Sequence, residues 1–146
     1  MTIDDLLTIQ PGARVSIANR PFSYVGRSGL KLDDDSIVYW LYGDDDELLS
    51  VTPDDEELVL FESLEDELEP DDSVFFRGKE YEFSYESAGK ITQVEGEADT
   101  EMDDRYLFSE YQSPEGERLR IVTNENTGEV CAYLGHTISE DDLNEI

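Results

Sequence analysis

Apolar residues in this chain come in short runs, rich in β-branched and aromatic residues, that alternate with acidic turns. Segment 35–64 shows this most clearly, with apolar runs at 37–42, 48–51 and 58–61. Short runs of this composition, bounded by glycine, proline and aspartate, are typical of β-strands. The pattern therefore predicts three antiparallel strands in a meander.

The same pattern predicts strands on both sides of this segment. They are expected at 14–17, 22–25, 30–32, 74–76, 81–85, 90–94, 106–108, 119–122 and 130–134. The glycine-containing stretch 26–29 and the pair Ala88–Gly89 are interpreted as breaks between neighbouring strands.

Short helical turns are predicted at both termini. Thr2 is followed by Asp5, and Ser139 by Asp142, which is the spacing of a helix-capping pair. A further helical turn is predicted over 62–69, where two leucines are four residues apart before Pro70.

The two halves of the chain look alike. Tyr42, Val51–Thr52 and Val59 match Tyr111, Val122–Thr123 and Val130 at offsets of 69 (111 − 42), 71 (122 − 51) and 71 (130 − 59). Because one meander buries only one face, a second meander would cover it. The predicted fold is therefore all-β, a single domain over 1–146, in which two related antiparallel meanders (about 13–69 and 74–138) form a sandwich or a partly open barrel.

Charge changes the picture of the partners. The chain has 38 acidic residues against 10 basic ones and a formal net charge of −28. Such a field repels nucleic-acid phosphates and anionic lipid headgroups, and it attracts basic protein surfaces and cations. Direct binding to nucleic acid is therefore not expected, and a basic protein surface is the expected partner. Solubility, or adaptation to high salt, explains the same charge without any partner.

The chain lacks the signals of export and of membrane insertion. No apolar run approaches the roughly 20 residues of a spanning helix, and the first residues are acidic where a signal peptide is basic. The single cysteine, Cys131, forms no internal disulfide. A cytoplasmic protein without a membrane span is expected.

No residue pattern indicates catalysis or a cofactor. Cys131 and His136 are a conceivable nucleophile and base, but Cys131 falls within an apolar strand, where a buried thiol is unreactive. The acidic runs do not fit the twelve-residue calcium loop, and the spacing of zinc ligands is missing. We expect no cofactor, no dedicated metal site and no enzymatic activity, with an enzyme acting on a small cation as the alternative.

The candidates for an interaction surface are aromatic and acidic residues of the central meander. They are Tyr39, Trp40 and Tyr42 on the first strand, and Asp44, Asp45, Asp46, Asp54, Asp55, Glu56 and Glu57 in the two turns. Trp40 is predicted to belong to the core rather than to an exposed binding face.

The strands Phe22–Gly26, Tyr39–Tyr42 and Leu48–Val51, with the closing segment Tyr133–Ile138 and its acidic tail, resemble those of small bacterial β-rich domains of unknown function, the YjfK-like proteins. The resemblance implies gene neighbourhoods shared with phage-shock, PspA-like membrane-remodelling proteins, with small membrane proteins and with polyamine enzymes, and it carries over no catalytic residue.

Three hypotheses about function follow. The first is a non-enzymatic, strongly acidic protein-interaction module, an accessory to a PspA-like membrane-stress system. The second is a decoy that imitates nucleic acid and occupies a DNA-binding protein. The third is an enzyme or binder for a small cation such as a polyamine.

Overall fold

The computed structural model describes residues 1–98 and 100–145, and these form a fold built almost entirely of antiparallel strands. The strands are β1 (Arg14–Ile17), β2 (Arg20–Leu32), β3 (Ile37–Gly43), β4 (Glu47–Thr52), β5 (Glu57–Leu64), β6 (Ser73–Phe76), β7 (Lys79–Gly96), β8 (Arg105–Gln112), β9 (Arg118–Asn124), β10 (Val130–Ile138) and β11 (Leu143–Glu145). Helical structure is confined to α1 (Ile3–Leu6) and to 3-10 turns at Pro53–Asp55 and Glu140–Asp142.

Eight of the strands close into a barrel. Their order is β2-β3-β4-β5-β10-β9-β8-β7, and β7 pairs back onto β2. Strands β1 and β11 extend the sheet beyond β2, and β6 extends it beyond β7. The prediction of an all-β antiparallel fold with a barrel is confirmed, and the barrel is closed rather than partly open.

Each half of the chain runs through the same sequence of elements. A short strand, a two-residue turn and a long strand are followed by three further strands, first in β1–β5 and then in β6–β10. The turns Ala18–Asn19 and Arg77–Gly78 both have positive φ at each central residue, the conformation of a type I′ hairpin. Descent of the two halves from one duplicated unit stays a prediction.

The residues matched between the halves by sequence do not occupy equivalent places. Tyr42 faces the inside of the barrel, whereas Tyr111 packs on its outer surface. Val51 packs outside, whereas Val122 faces inside. The offsets of 69 and 71 are each one residue from the offset of 70 that the strand register supports (described below), and a slip of one residue turns a strand's side chains to the opposite face.

Two predicted strand breaks are wrong. Strand β2 runs through 26–29, and β7 runs through Ala88–Gly89. The glycines are there because the seam between β2 and β7 brings the two backbones together: a Cβ at Gly26 would lie 2.4 Å from the carbonyl oxygen of Glu97, and one at Gly89 would lie 2.7 Å from that of Lys31. Glycine in a strand here indicates close approach rather than a turn.

The helical turns at the termini are confirmed, and the one over 62–69 is wrong. Thr2 with Asp5, and Ser139 with Asp142, form capping boxes. Residues 62–64 instead continue β5, where Leu64 pairs with Ala132 of β10, and residues 65–69 form no regular element. Pairing with β10 outweighs the weak helical spacing of the two leucines, which pack against the outer surface of the barrel.

The apolar core has three parts. The lumen of the barrel is filled by side chains from all eight barrel strands, including Trp40, Phe61 and Phe108. A second cluster lies on the outer surface of β3, β4 and β5, beneath α1, β1 and the start of β2. A third lies on the outer surface of β8 and β9, beneath β6 and the start of β7.

We call the end of the barrel that carries the β3–β4 turn the upper end, and the end that carries the β4–β5 turn the lower end.

No helix in the described ranges 1–98 and 100–145 has the length and apolarity needed to cross a bilayer.

Candidate functional site

The lower half of the lumen contains a buried ion pair. Glu110 of β8 and Arg120 of β9 are cross-strand partners, and their side chains meet inside the barrel. Arg120 Nε donates to Glu110 Oε2 at 2.7 Å, and Arg120 Nη2 donates to Glu110 Oε1 at 2.9 Å. Arg120 Nη1 donates to Ser50 Oγ at 3.0 Å. The pair is therefore bidentate and desolvated, the geometry in which such a bond is strongest.

Aromatic rings hold the guanidinium in place. The guanidinium carbon of Arg120 lies 4.6 Å from the ring centre of Phe61 and 5.0 Å from that of Phe108. Burial alone would lower the pKa of Arg120, but the charge and hydrogen bonds of Glu110 raise it above its ordinary value. Arg120 thus stays charged inside an apolar lumen.

Arg118 extends this network to the lower end. Its Nη2 donates to Glu110 Oε1 at 3.2 Å and to the Tyr85 hydroxyl at 3.4 Å, and its Nη1 lies 3.6 Å from Glu57 Oε2. Two arginines thereby face two carboxylates, and Arg120 directs all three of its nitrogens at acceptors. A network satisfied to this degree leaves neither buried charge unpaired, so loss of a single partner would be strongly destabilising.

A cavity of about 320 Å³ opens at the lower end beside this network. Its walls combine Arg120, Phe108 and Val38 with the polar residues Thr52, Ser36, Ser87, Asp34, Asp55, Glu57 and Tyr85. Burial, followed by the charge of Glu110, raises the pKa of the Tyr85 hydroxyl, so this phenol is neutral at physiological pH.

A cavity of about 330 Å³ at the upper end has a different lining. Four aromatic side chains, Trp40, Tyr42, Tyr106 and Tyr133, form much of its wall. The rest is contributed by Ser63, Thr100, Val122, Asn124, Glu129 and Cys131. No basic residue lines it among the described residues.

Most polar groups around the upper cavity bond to one another. Ser28 Oγ lies 3.2 Å from the Tyr42 hydroxyl and also bonds to Thr100 Oγ1. Asn124 Nδ2 donates to Asp104 Oδ2 at 3.1 Å and to the Tyr106 hydroxyl at 3.2 Å. Burial, with a smaller effect of the Asp104 charge, raises the pKa of the Tyr106 hydroxyl.

The indole nitrogen of Trp40 is the exception. Trp40 is 3% exposed, its ring makes edge contacts with Tyr106 and Phe108, and its Nε1 has no hydrogen-bond partner within residues 1–98 and 100–145. Buried Trp N–H groups usually find an acceptor, and an unmet donor costs about 1 to 3 kcal/mol. Trp40, one of the residues that line the upper cavity, therefore carries a donor without a partner among the described residues.

An acidic groove adjoins this cavity. The groove, about 260 Å³, is lined by Asp44, Asp46, Glu47 and Glu97 together with Val25, Gly43, Leu48, Tyr42, Ser63 and Tyr133. Tyr42, Ser63 and Tyr133 line both spaces, so the groove and the aromatic cavity are neighbours on the same side chains. Burial raises the pKa of the Glu47 carboxyl, an effect that Arg20 opposes and that the charges of Asp45 and Asp44 increase.

The structure brings some of the predicted interaction residues together and separates others. Trp40 and Tyr42 point into the lumen at the upper end, next to the turn formed by Asp44, Asp45 and Asp46. Tyr39 lies on the opposite face of β3, where it packs against the outer cluster beneath the guanidinium of Arg27. The acidic run Asp54, Asp55, Glu56 and Glu57 lies at the lower end. The prediction that Trp40 belongs to the core is confirmed by its burial.

The interpretation of Cys131 as a buried thiol is wrong. Cys131 is exposed, because it lies near the start of β10 at the rim of the upper cavity. Its sulfur lies 4.0 Å from Glu129 Oε1. His136 has the opposite parity on β10 and contributes to a different, outer groove, so the two residues do not form a catalytic pair. Across the described part of the chain, no group of three or more histidine, cysteine or acidic side chains is placed to hold a metal ion.

The sequence analysis missed Glu110, Arg118 and Arg120. The signal available was the alternation of arginine with apolar residues in 118–122, which places both arginines on one face of a strand. Charged residues are seldom fully buried without a partner, so this alternation alone does not indicate that the face points into the barrel.

Fold and lumen define a closed, eight-stranded antiparallel barrel with a cavity at each end. Residues 10–140 match DUF4178, described as a domain of unknown function, and the chain belongs to this family. Neither the curated proteins nor the solved structures contain a match to the chain. The resemblance to YjfK-like proteins stays a prediction.

Proposed function

We propose that this protein is a non-enzymatic, acidic binding module that docks a basic partner at the upper end of its barrel. The observation that carries the proposal is that the acidic groove and the aromatic cavity lie side by side and share Tyr42, Ser63 and Tyr133 in their walls. An incoming cationic group meets carboxylates first and aromatic faces next, and both attract positive charge.

Electrostatics favours this end as the docking site. Asp44, Asp45 and Asp46 are exposed in a tight turn, and no salt bridge engages them within residues 1–98 and 100–145. Unpaired rim charges accelerate association with an oppositely charged partner and contribute little to stability. The lower end is also acidic, but the charge of Arg120 faces its cavity.

The test compares two variants that lose the same charge at opposite ends. The upper variant carries Asp44→Asn, Asp45→Asn and Asp46→Asn, and the lower variant carries Asp54→Asn, Asp55→Asn and Glu56→Gln. Association with a peptide of eight lysines is followed by stopped-flow fluorescence of Trp40, the only tryptophan. The upper variant should associate about fivefold more slowly than the wild type and show a flatter salt dependence, while the lower variant stays close to the wild type.

The result separates docking at one end from bulk charge. Equal slowing of both variants would mean that net charge alone attracts the peptide, and unchanged rates in both would exclude electrostatic docking altogether. Matching unfolding curves for the two variants and the wild type serve as the folding control.

The wider setting is proposed on other grounds. A role as accessory to a PspA-like membrane-stress system rests on the resemblance of the strand motifs. The expectation of a cytoplasmic location rests on the composition. The alternative of a nucleic-acid mimic stays a prediction, and it requires carboxylates in rows with phosphate-like spacing on the surface.

A further inference from the structure

The lining of the upper cavity restricts the charge of any ligand. Four aromatic side chains line it, Glu129 adds a carboxylate, and none of the described lining residues is basic. The net charge of −28 repels anions from the whole molecule. Aromatic walls without a counter-cation are the surroundings in which organic cations bind, since the ring quadrupole attracts positive charge and the apolar surface covers the alkyl groups.

The Trp40 indole adds a second requirement. Several acceptors around the upper cavity are already engaged: Ser28 Oγ bonds to the Tyr42 and Thr100 hydroxyls, and Asn124 Oδ1 accepts from the backbone N–H groups of Asn126 and Thr127. Trp40 Nε1 has no partner among the described residues. A ligand oxygen that reaches the indole nitrogen of this lining residue would satisfy the donor.

Size agrees with a small ligand. The cavity of about 330 Å³ is at the lower end of the usual range for small-molecule sites, about 300 to 1,000 Å³. It is too small for a folded segment and large enough for one cationic head group with a short substituent.

We propose that the upper cavity binds a methylated ammonium group that carries a hydrogen-bond acceptor oxygen a few bonds away, as in choline. The rings of Trp40, Tyr42, Tyr106 and Tyr133 surround the cation, Glu129 lies at the same wall, and Trp40 Nε1 donates to the oxygen. This inference rests on the proposed function, because the acidic groove is the route by which the cation arrives. The group is supplied either by a free small molecule or by a methylated lysine of the basic partner.

The single tryptophan makes the site directly observable. One indole Nε1–H cross-peak is expected in a ¹H–¹⁵N correlation spectrum, and it belongs to Trp40. Choline is titrated against the protein, and 3,3-dimethyl-1-butanol, its uncharged carbon isostere, is the matched control. Sodium chloride is adjusted so that ionic strength stays constant. We expect a saturable downfield shift of the indole proton with choline, and affinity for the neutral isostere at least about tenfold lower.

Replacement of one aromatic wall at each end sharpens the assignment. Tyr133→Leu removes a ring from the upper cavity at similar volume and should weaken choline binding about tenfold. Tyr85→Leu makes the same change at the lower cavity and should leave choline binding unchanged. A weakened affinity in both variants, equal affinity for choline and its isostere, or an indole peak that does not move at millimolar choline would overturn the proposal.

The two sources of the group, and the two proposals, are separable. A short peptide with one trimethyl-lysine, compared with its unmethylated form, shows whether a partner's side chain reaches the site: a shift of the indole peak with the methylated peptide alone assigns the group to a protein partner, and a shift with choline alone assigns it to a free molecule. If choline does not bind but the upper and lower charge variants still differ in association rate, the cavity ligand is refuted and the docking proposal stands. Choline binding without that difference would refute docking alone.

Discussion

The β3–β4 and β8–β9 hairpins occupy equivalent places in the two halves of the barrel, yet they present opposite chemistry to the lumen. Their registers coincide at a constant offset of 70: Trp40 pairs with Ser50 in one hairpin, and Glu110 (110 − 40) pairs with Arg120 (120 − 50) in the other. An aromatic donor with a small hydroxyl in the first hairpin thus stands where the second has an ion pair.

The two ends differ in whether their buried polar groups have hydrogen-bond partners. Glu110 and Arg120 satisfy each other, and Arg120 also uses the hydroxyl of Ser50 from the opposite hairpin. Trp40 gains apolar contacts but leaves its N–H without a partner among the described residues. Natural proteins commonly accept such local costs where a ligand binds. This contrast supports the proposal that the ligand binds at the upper cavity rather than at the lower network.

The largest expected effect is on the free energy of unfolding, after loss of Glu110 at the lower end. Glu110→Ala leaves Arg120 charged and buried between Phe61 and Phe108 without a counter-ion. We expect a loss of about 3 to 5 kcal/mol in the free energy of unfolding, measured by urea denaturation.

The double variant Glu110→Leu with Arg120→Met is the control for this prediction. It removes both charges and keeps similar volume, and its stability should lie within about 1 to 2 kcal/mol of the wild type. A double variant as unstable as the single one would show that the ion pair itself, rather than the unpaired charge, accounts for the stability.

Replacement of Trp40 tests whether the indole N–H at the upper end lacks a partner in the folded protein. Trp40→Phe removes the indole N–H and part of the ring, and since the N–H has no partner among the described residues to lose, only volume is sacrificed. We expect a cost of about 1 to 2 kcal/mol in urea denaturation, with choline binding weakened through the lost donor. A cost close to that of Trp40→Ala, about 3 to 5 kcal/mol, would mean that the indole N–H is satisfied in the folded protein.

Strand positions were predictable from the sequence, whereas strand length and facing were not. Runs such as 37–42 and 48–51 are strands because β-branched and aromatic residues fit a pleated, half-buried surface. Glycine has two meanings, a turn or a close approach of backbones, and at Gly26 and Gly89 only the closed barrel distinguishes them.

The site was harder to predict than the fold. Trp40, Tyr42 and Asp44 are neighbours in sequence, so their joint presence at one end followed from the meander. Tyr106 and Tyr133 reach the same cavity only because the second half closes the barrel around it. The Glu110–Arg120 pair was harder to recognise. Its burial depends on the register between β8 and β9, in which these two residues, ten positions apart, are partners.

The smallest expected effect concerns Glu47, a partly buried carboxylate at the upper end. Burial raises the pKa of its carboxyl above the ordinary 4.5, with the charges of Asp45 and Asp44 adding to the rise against Arg20. An acid whose pKa is higher in the folded state destabilises the fold wherever it is ionised, and the penalty vanishes as the pH falls towards 4.5. Glu47→Gln should therefore stabilise the protein by about 0.5 kcal/mol near neutral pH, a modest value because the side chain is partly exposed. The gain should shrink when urea denaturation is repeated at about pH 5.

Glu80→Gln removes the same charge from an exposed position on β7 and serves as the control. If the two variants gain equally at neutral pH, relief of net charge explains the effect, and Glu47 carries no special cost at the upper end.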